Sequence, residues 1–357
     1  MPLDVSPKSI APTAPCADIP LGDLVYVTPE APGLSRIRRG ETFAYVDADG
    51  RAVRDAVVLE RIKALAIPPA WSAVWICADP NGHLQAVGQD EKGRRQYRYH
   101  PDFRALREEA KFHRLASFAE SLPALRAAIT QDMAERGLSQ RKVLAVVARL
   151  LETTLIRVGN RAYAKQNRSY GLTTLLSRHV RVEHADLKFQ FKGKSGKQWR
   201  LQVHDRRIAR IVKSCQELPG QHLFQYRDAE GRGQAVTSAA VNAYLKAVSG
   251  ADITAKDFRT WTGTVMAALA LAELGPPASA TQAKRNLSAA IAQTAARLGN
   301  TPAICRKCYV HPEVIAAYLE GALTLGDLPD ADEASRDWTG LHPEEAQVLA
   351  FLKARGV

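Results

Sequence analysis

The spacing of apolar positions changes near residue 101 and is interrupted once more between 179 and 203. Before residue 101 short apolar runs lie between turn signals. Thr42-Phe43-Ala44-Tyr45-Val46 runs into Asp47-Ala48-Asp49-Gly50, and Asp-Gly after such a run predicts a hairpin turn. The runs 72–77 and 83–87 flank Asp79-Pro80-Asn81-Gly82, a second predicted hairpin. Between them, 57–66 has helical spacing and stops at Pro68-Pro69.

From Pro101 onward the period is helical. In 139–158, Val143, Val147, Leu150, Leu151 and Leu155 form one apolar stripe, with Ser139 to cap the start and Gly159 to end it. Short strands are predicted at 179–183, 188–192 and 198–203, the last two joined by a turn at 193–196. Helices are predicted again at 205–215, 238–248, 254–274, 281–298 and 312–322. Thr254 with Asp257 suits a capping box, and Gly275-Pro276-Pro277 stops that helix. The expectation is an α+β chain: a disordered tail over 1–22, a small β-rich domain over 23–104, and a larger, mainly α-helical domain over 105–357.

Composition narrows the partners. A length of 357 residues supports two cored domains, and a formal net charge of +12 points to a polyanion, most simply nucleic acid. There is no run of about 18 apolar residues to span a membrane. The first twenty residues lack the apolar stretch of a signal peptide and read as a loose tail. Cys16, Cys77, Cys215, Cys305 and Cys308 make no disulfide framework, which suits a reducing cytoplasm. Asp327, Asp330, Asp332, Glu333 and Asp337 make a late acidic stretch that reads as a solvated linker.

Tyr309 stands in Leu298-Gly299-Asn300-Thr301-Pro302-Ala303-Ile304-Cys305-Arg306-Lys307-Cys308-Tyr309-Val310-His311-Pro312, after a basic pair and nine residues beyond an amide. Three basic segments lie upstream: Ile156-Arg157-Val158-Gly159-Asn160, Gly193-Lys194-Ser195-Gly196-Lys197, and Lys256-Asp257-Phe258-Arg259-Thr260-Trp261. Two arginines, a lysine and a tyrosine suffice chemically for metal-free attack on a phosphodiester. Arginine forks neutralise the equatorial oxygens of the transition state. Lysine can protonate the leaving oxygen, and tyrosine in a cationic setting can be the nucleophile. Taken singly, each has a plainer reading: Arg157 as a helix-end charge, Arg259 as a core-edge ion-pair residue, Asn300 as a turn residue and Tyr309 as a packing ring. Lys192, Lys194 and Lys197 compete for the lysine's role.

Together, in this order, these segments resemble the type IB DNA topoisomerases of the bacterial and poxvirus-like branch. The stretch from Ile156 through Tyr163-Ala164-Lys165-Gln166-Asn167 to Tyr170-Gly171-Leu172-Thr173-Thr174-Leu175 is similar to the bacterial signature, and Cys215-Gln216-Glu217-Leu218-Pro219-Gly220 is also typical. The resemblance implies Arg157 and Arg259 as the catalytic arginines and Lys194 as the general acid. It implies Asn300 where the poxvirus branch uses histidine, and Tyr309 as the nucleophile. In the β-rich part, Gln96-Tyr97-Arg98-Tyr99-His100 resembles the family's DNA-reading strand. Gln96, Tyr97 and Tyr99 would then face a groove, with Arg94 and Arg95 on phosphates.

The same resemblance implies a monomer clamped round duplex DNA in the cytoplasm, at the nucleoid. It relaxes supercoils of both signs through a 3′-phosphotyrosine, with neither ATP nor metal as cofactor. Two look-alike signals are weaker. Cys305-x-x-Cys308 beside His311 is half a zinc site without a second cysteine pair. Gly193-Lys194-Ser195 lacks the earlier glycine of a phosphate-binding loop, since position 188 is lysine. Two rivals remain. A tyrosine recombinase would carry histidine where Lys256 stands and Leu-Gly-His where Leu298-Gly299-Asn300 stands. A catalytically silent DNA-binding protein would not need all five chemical positions.

Overall fold

The computed structural model describes residues 22–326 and 340–357. The expected tail, apart from residue 22, and the acidic stretch containing Asp327 and Asp337 lie outside the described residues, as does Cys16. The chain divides into two compact units between Lys111 and Phe112. That division falls inside one continuous helix, α2 (Pro101–Met133), rather than at the 104/105 boundary read from the change of period.

The first unit is a five-stranded antiparallel sheet with one helix. Its elements are β1 (Gly33–Arg39), β2 (Thr42–Val46), α1 (Ala56–Ala64), β3 (Ser72–Cys77), β4 (Leu84–Gln89) and β5 (Arg95–Tyr99), in the sheet order β2-β1-β3-β4-β5. Leu34, Ile62, Val74, Ile76 and Ala86 form its core. The Asp79–Gly82 turn joins β3 to β4 as expected, and β4 runs on to Gln89 because its far end pairs with β5. The Asp47–Gly50 turn returns the chain only as far as a single bridge, Val46 to Ala52. Strand β1 carries three arginines and escaped the apolar pattern. Arg36 packs its guanidinium 4.2 Å from the Phe43 ring centre and donates to the Trp71 carbonyl at 2.6 Å, so a charged residue fills a packing position.

The second unit contains α3 (Gln140–Thr154), α4 (Arg161–Asn167), a sheet of β6 (Val180–Glu183), β7 (Asp186–Lys192) and β8 (Gln198–His204), then α5 (Arg206–Gln216). A small hairpin of β9 (Gln225–Arg227) and β10 (Gly233–Ala235) precedes α6 (Ser238–Ser249), α7 (Ala255–Glu273), α8 (Ala280–Leu298), α9 (Pro302–Cys308), α10 (Pro312–Leu319) and α11 (Pro343–Ala354). Helix α3 is buried on nearly every side, with Val143 to Ala148, Leu150 and Leu151 all in the core, so it is the axis of this unit. Thr254 and Asp257 form the expected capping box at the start of α7, Asp257 accepting from the Thr254 N–H at 2.7 Å.

One helix boundary differs from expectation in a place that matters. The stripe through 139–158 predicts a helix running to Gly159, but α3 ends at Thr154 and Leu155 turns left-handed at φ 58°. Leucine there is strained by its Cβ. The Arg259 guanidinium donates to the Leu155 carbonyl, a tertiary bond that the local pattern could not announce. Arg157 therefore leaves the helix altogether and lies in an extended segment.

Two residues beyond Arg259, near Trp261 of α7, Arg126 of α2 is buried between two carboxylates, Glu152 of α3 at 2.7 Å and Glu345 of α11 at 2.9 Å. Glu345 also accepts from the Trp261 indole at 3.0 Å. This charge cluster fixes the last helix against α2, α3 and α7. Among the described residues no helix is long and apolar enough to cross a membrane.

Candidate active site

The ends of α3, α8 and α9, the body of α7 and four close-packed glycines build the site. After Leu155, residues 156–159 run beside 171–174: Leu172 donates its N–H to the Arg157 carbonyl at 2.9 Å, and Thr173 donates both N–H and hydroxyl to the Val158 carbonyl at 2.8 Å. The two segments approach so closely that a Cβ on Gly171 would lie 2.6 Å from the Gly159 Cα and overlap the Arg157 carbonyl. Gly159 itself sits at φ +100°. The glycines of the signature stretch thus lock the backbone that carries Arg157.

Helix α8 closes with Gly299 at φ 66°, and the next N–H, that of Asn300, bonds back to Ala295 at 2.9 Å. This turn aims the Asn300 side chain at Arg157, whose guanidinium donates to Asn300 Oδ1 and, at 3.4 Å, to the Gly299 carbonyl. Arg259, only 3% exposed, reaches from α7 to the Leu155 carbonyl and to the Leu298 carbonyl at 2.6 Å. Its guanidinium carbon lies 5.1 Å from the centre of the Tyr309 ring. Tyr309 follows α9 directly, its N–H bonded to Cys305 at 2.9 Å.

The two cations act on one another. Burial lowers the pKa of Arg157, the nearby Arg259 lowers it further, and Tyr309 opposes both. Two polar groups here have no hydrogen-bond partner: Arg259 Nε and Asn300 Nδ2, both buried N–H donors. Buried donors are seldom left unpaired, so a pair of them beside a tyrosine calls for an acceptor from outside the chain. Below Tyr309, burial pushes the Cys305 thiol up to about 11, which keeps it protonated at neutral pH.

The sequence-read residues Arg157, Arg259, Asn300 and Tyr309 therefore come together. Lys194 does not join them here: it sits on the β7–β8 turn, exposed, while the neighbouring Lys197 reaches the Ala296 carbonyl of α8 at 3.4 Å. On β5 and just before it, at Arg94, the five candidates for DNA contact separate. Tyr97 and Tyr99 share one face, their rings stacked 6.0 Å apart. Gln96 and Arg94 both bind Asp90, at 2.9 and 2.6 Å, and the Arg94 hydrogen bond holds that carboxyl down to about 2. Arg95 is exposed.

Two site residues went unread in the sequence. Gly263 and Thr264, in the middle of α7, meet the backbone of Tyr309. A Cβ on Gly263 would overlap the Tyr309 carbonyl, and the Thr264 hydroxyl donates to that carbonyl at 3.4 Å and accepts the His311 N–H at 3.1 Å. A glycine inside an otherwise strong helical pattern is the signal that could have flagged the approach.

An antiparallel β unit ahead of a mainly helical unit, with two arginines, an asparagine and a tyrosine on converging helix ends, is the layout expected of a tyrosine-type DNA-cleaving core. Comparison with known proteins agrees. The family described as "Eukaryotic DNA topoisomerase I, catalytic core" matches residues 100–324, and "Bacterial DNA topoisomerase IB, N-terminal domain" matches residues 42–90. The chain is 32% identical over 293 residues to DNA topoisomerase 1B of Acanthamoeba polyphaga mimivirus, covering 80% of this chain and 87% of that protein. It is 24% identical over 237 residues to DNA topoisomerase 1B of Vaccinia virus (strain Copenhagen), covering 64% and 70%. The chain belongs to the type IB DNA topoisomerases, in their poxvirus-like branch. It is accordingly a type I topoisomerase enzyme, which sets aside the recombinase and silent-binder readings.

Proposed function

We propose that this enzyme relaxes positive and negative supercoils by one reversible transesterification. The Tyr309 oxygen attacks a DNA phosphate and gives its proton to solvent water as the Oη–P bond forms. The P–O5′ bond breaks, leaving a 3′-phosphotyrosine and a 5′-hydroxyl strand. Arg157, Arg259 and Asn300 donate to the phosphate oxygens, and Lys194 gives a proton to the departing O5′. The downstream duplex turns, the 5′-hydroxyl attacks back, and the strand is restored. The ester conserves the bond energy, so the cycle calls for neither ATP nor metal.

The observation that carries this reading is the pair of unpartnered donors, Arg259 Nε and Asn300 Nδ2, beside the Tyr309 ring. A phosphate oxygen supplies the acceptors they lack. For Lys194 the support is the family register and its place on an exposed turn. A monomeric clamp with β5 on the DNA, using Arg94, Arg95, Gln96, Tyr97 and Tyr99, accounts for the +12 net charge and implies binding that weakens steeply with salt.

The test is relaxation of supercoiled plasmid with EDTA present and ATP absent, beside Tyr309→Phe. A ladder of relaxed topoisomers that disappears in the variant is the expected result. Residual relaxation by Tyr309→Phe would remove Tyr309 as nucleophile. Wild-type relaxation that needs metal or nucleotide would remove the cofactor-free cycle.

A further inference from the structure

The turn carrying Lys194 is not held by its own side chains. Its backbone closes through Gly193 N–H to the Lys197 carbonyl at 2.8 Å, with Ser195 left-handed at φ 59°. Three of its residues, Lys194, Ser195 and Gly196, are exposed. Against its first residue lies one indole. A Cβ on Gly193 would lie 2.6 Å from Trp199 Nε1 and 2.7 Å from Cδ1. The far rim of the same ring meets the other half of the site, where a Cβ on Gly299 would lie 2.9 Å from Trp199 Cζ2. Gly299 is the residue whose carbonyl accepts from Arg157 and whose left-handed turn aims Asn300.

We propose that Trp199 is a positioning residue: its indole, lodged between Gly193 and Gly299, sets the lysine-bearing turn at a fixed distance from Asn300 and Arg157. The ring is itself braced, parallel to Phe191 at a centroid distance of 6.1 Å, so it transmits position instead of following the turn. Lys197 adds a second tie, its ammonium 3.4 Å from the Ala296 carbonyl and 6.0 Å from the indole centre. Both glycines are needed because the ring occupies the space of their side chains. An exposed turn alone would sample many positions. A spacer of fixed width limits where a proton donor on it can reach.

The inference rests on the reading of this turn as the carrier of the general acid, and the experiment separates the two. Single-turnover cleavage is measured on a duplex with a natural phosphodiester and on one with a 5′-bridging phosphorothiolate, whose leaving group needs no proton. Trp199→Ala should slow the natural substrate by about 10²-fold, the scale of a misplaced catalytic group. It should cleave the thiolate at the wild-type rate. A residue that merely supports the fold would slow both substrates alike, and that outcome would overturn the proposal.

Gly193→Ala is the second variant, for use if Trp199→Ala does not fold. At φ −92° and ψ −169° its backbone accepts alanine, so the change strikes only the indole contact and should give the same substrate pattern. Lys194→Ala, run in parallel, addresses the acid itself. If Lys194→Ala is rescued by sulfur and Trp199→Ala is not, the positioning role fails and the lysine assignment survives. If Trp199→Ala is rescued and Lys194→Ala is not, the spacer stands and the proton comes from Lys192 or Lys197.

Discussion

Arg157 donates to Asn300 Oδ1, and that single bond fixes which end of the amide is left for the proposed phosphate. The oxygen is occupied by the arginine, so Nδ2 is left to donate, and it is the atom without a protein partner. Asn300→Asp keeps the size and the bond to Arg157 but replaces the donor by a negative oxygen. Cleavage should fall about 10²–10³-fold, as for loss of one oxyanion donor. Asn300→His, which retains a ring N–H donor, should lose much less. Covalent trapping on a suicide duplex measures both; equal losses would mean that the donor at this position is not what matters.

Gly263→Ala tests the contact between α7 and Tyr309, the proposed nucleophile. In an ordinary helix interior this change is favourable by about 1 kcal/mol. Here the added methyl overlaps the Tyr309 carbonyl, so stability should instead fall by about 1–3 kcal/mol. Cleavage should slow by about 10²-fold while duplex binding is kept. Urea unfolding together with a gel-shift titration reads the two effects. A stabilised, fully active variant would show that the approach of Tyr309 is not constrained.

Breaking the buried Arg126 cluster should cost more than any surface pair. Glu345→Ala leaves Arg126, 1% exposed, with Glu152 alone and strips the Trp261 indole of its acceptor. A loss of about 3–5 kcal/mol is expected, the range for removing one partner of a buried pair. The check is the urea midpoint of the full chain at neutral pH. A change below about 1 kcal/mol would place this cluster with surface ion pairs.

Stability should also decline on mild acidification. His83 and His179, one in each unit, are buried, and burial lowers both pKa values from the ordinary 6.5. Each accepts a backbone N–H at Nδ1, from Val27 and Leu176, both at 3.1 Å, a role that protonation abolishes. Because the folded pKa is depressed, the unfolded chain binds more protons below 6.5. Their contribution is therefore complete above that pH and is lost as pH falls through the folded values. Unfolding midpoints at pH 7.5 and 5.5 should differ, and His179→Gln should shrink the difference. An identical midpoint at both pH values would contradict this account.

The site was legible in the sequence where chemistry is local, and hidden where geometry is tertiary. Tyr309, Arg259 and Asn300 stand in short strings whose residue types already suggest a phosphate, and the resemblance ordered them. The end of α3 was not legible, because Leu155 adopts a left-handed turn that leucine alone disfavours and that the Arg259 bond accompanies from more than a hundred residues away. Strand β1 was hidden by Arg36, a packing residue in charged disguise. Trp199 carries no signal in the strand pattern, because the two glycines against its ring come from different parts of the chain.

Arg259 bonds the carbonyls that close α3 and α8, and this has a thermodynamic consequence for substrate capture. A surface arginine surrenders its rotamer freedom when a phosphate arrives, and that loss, up to about 2 kcal/mol, subtracts from affinity. Arg259 surrenders it during folding. Its fork is held by both carbonyls before DNA is present, and Nε is the guanidinium nitrogen with no partner. Capture of the phosphate by this residue then carries little entropic penalty, and any substitution here must weaken the folded chain and the chemistry together.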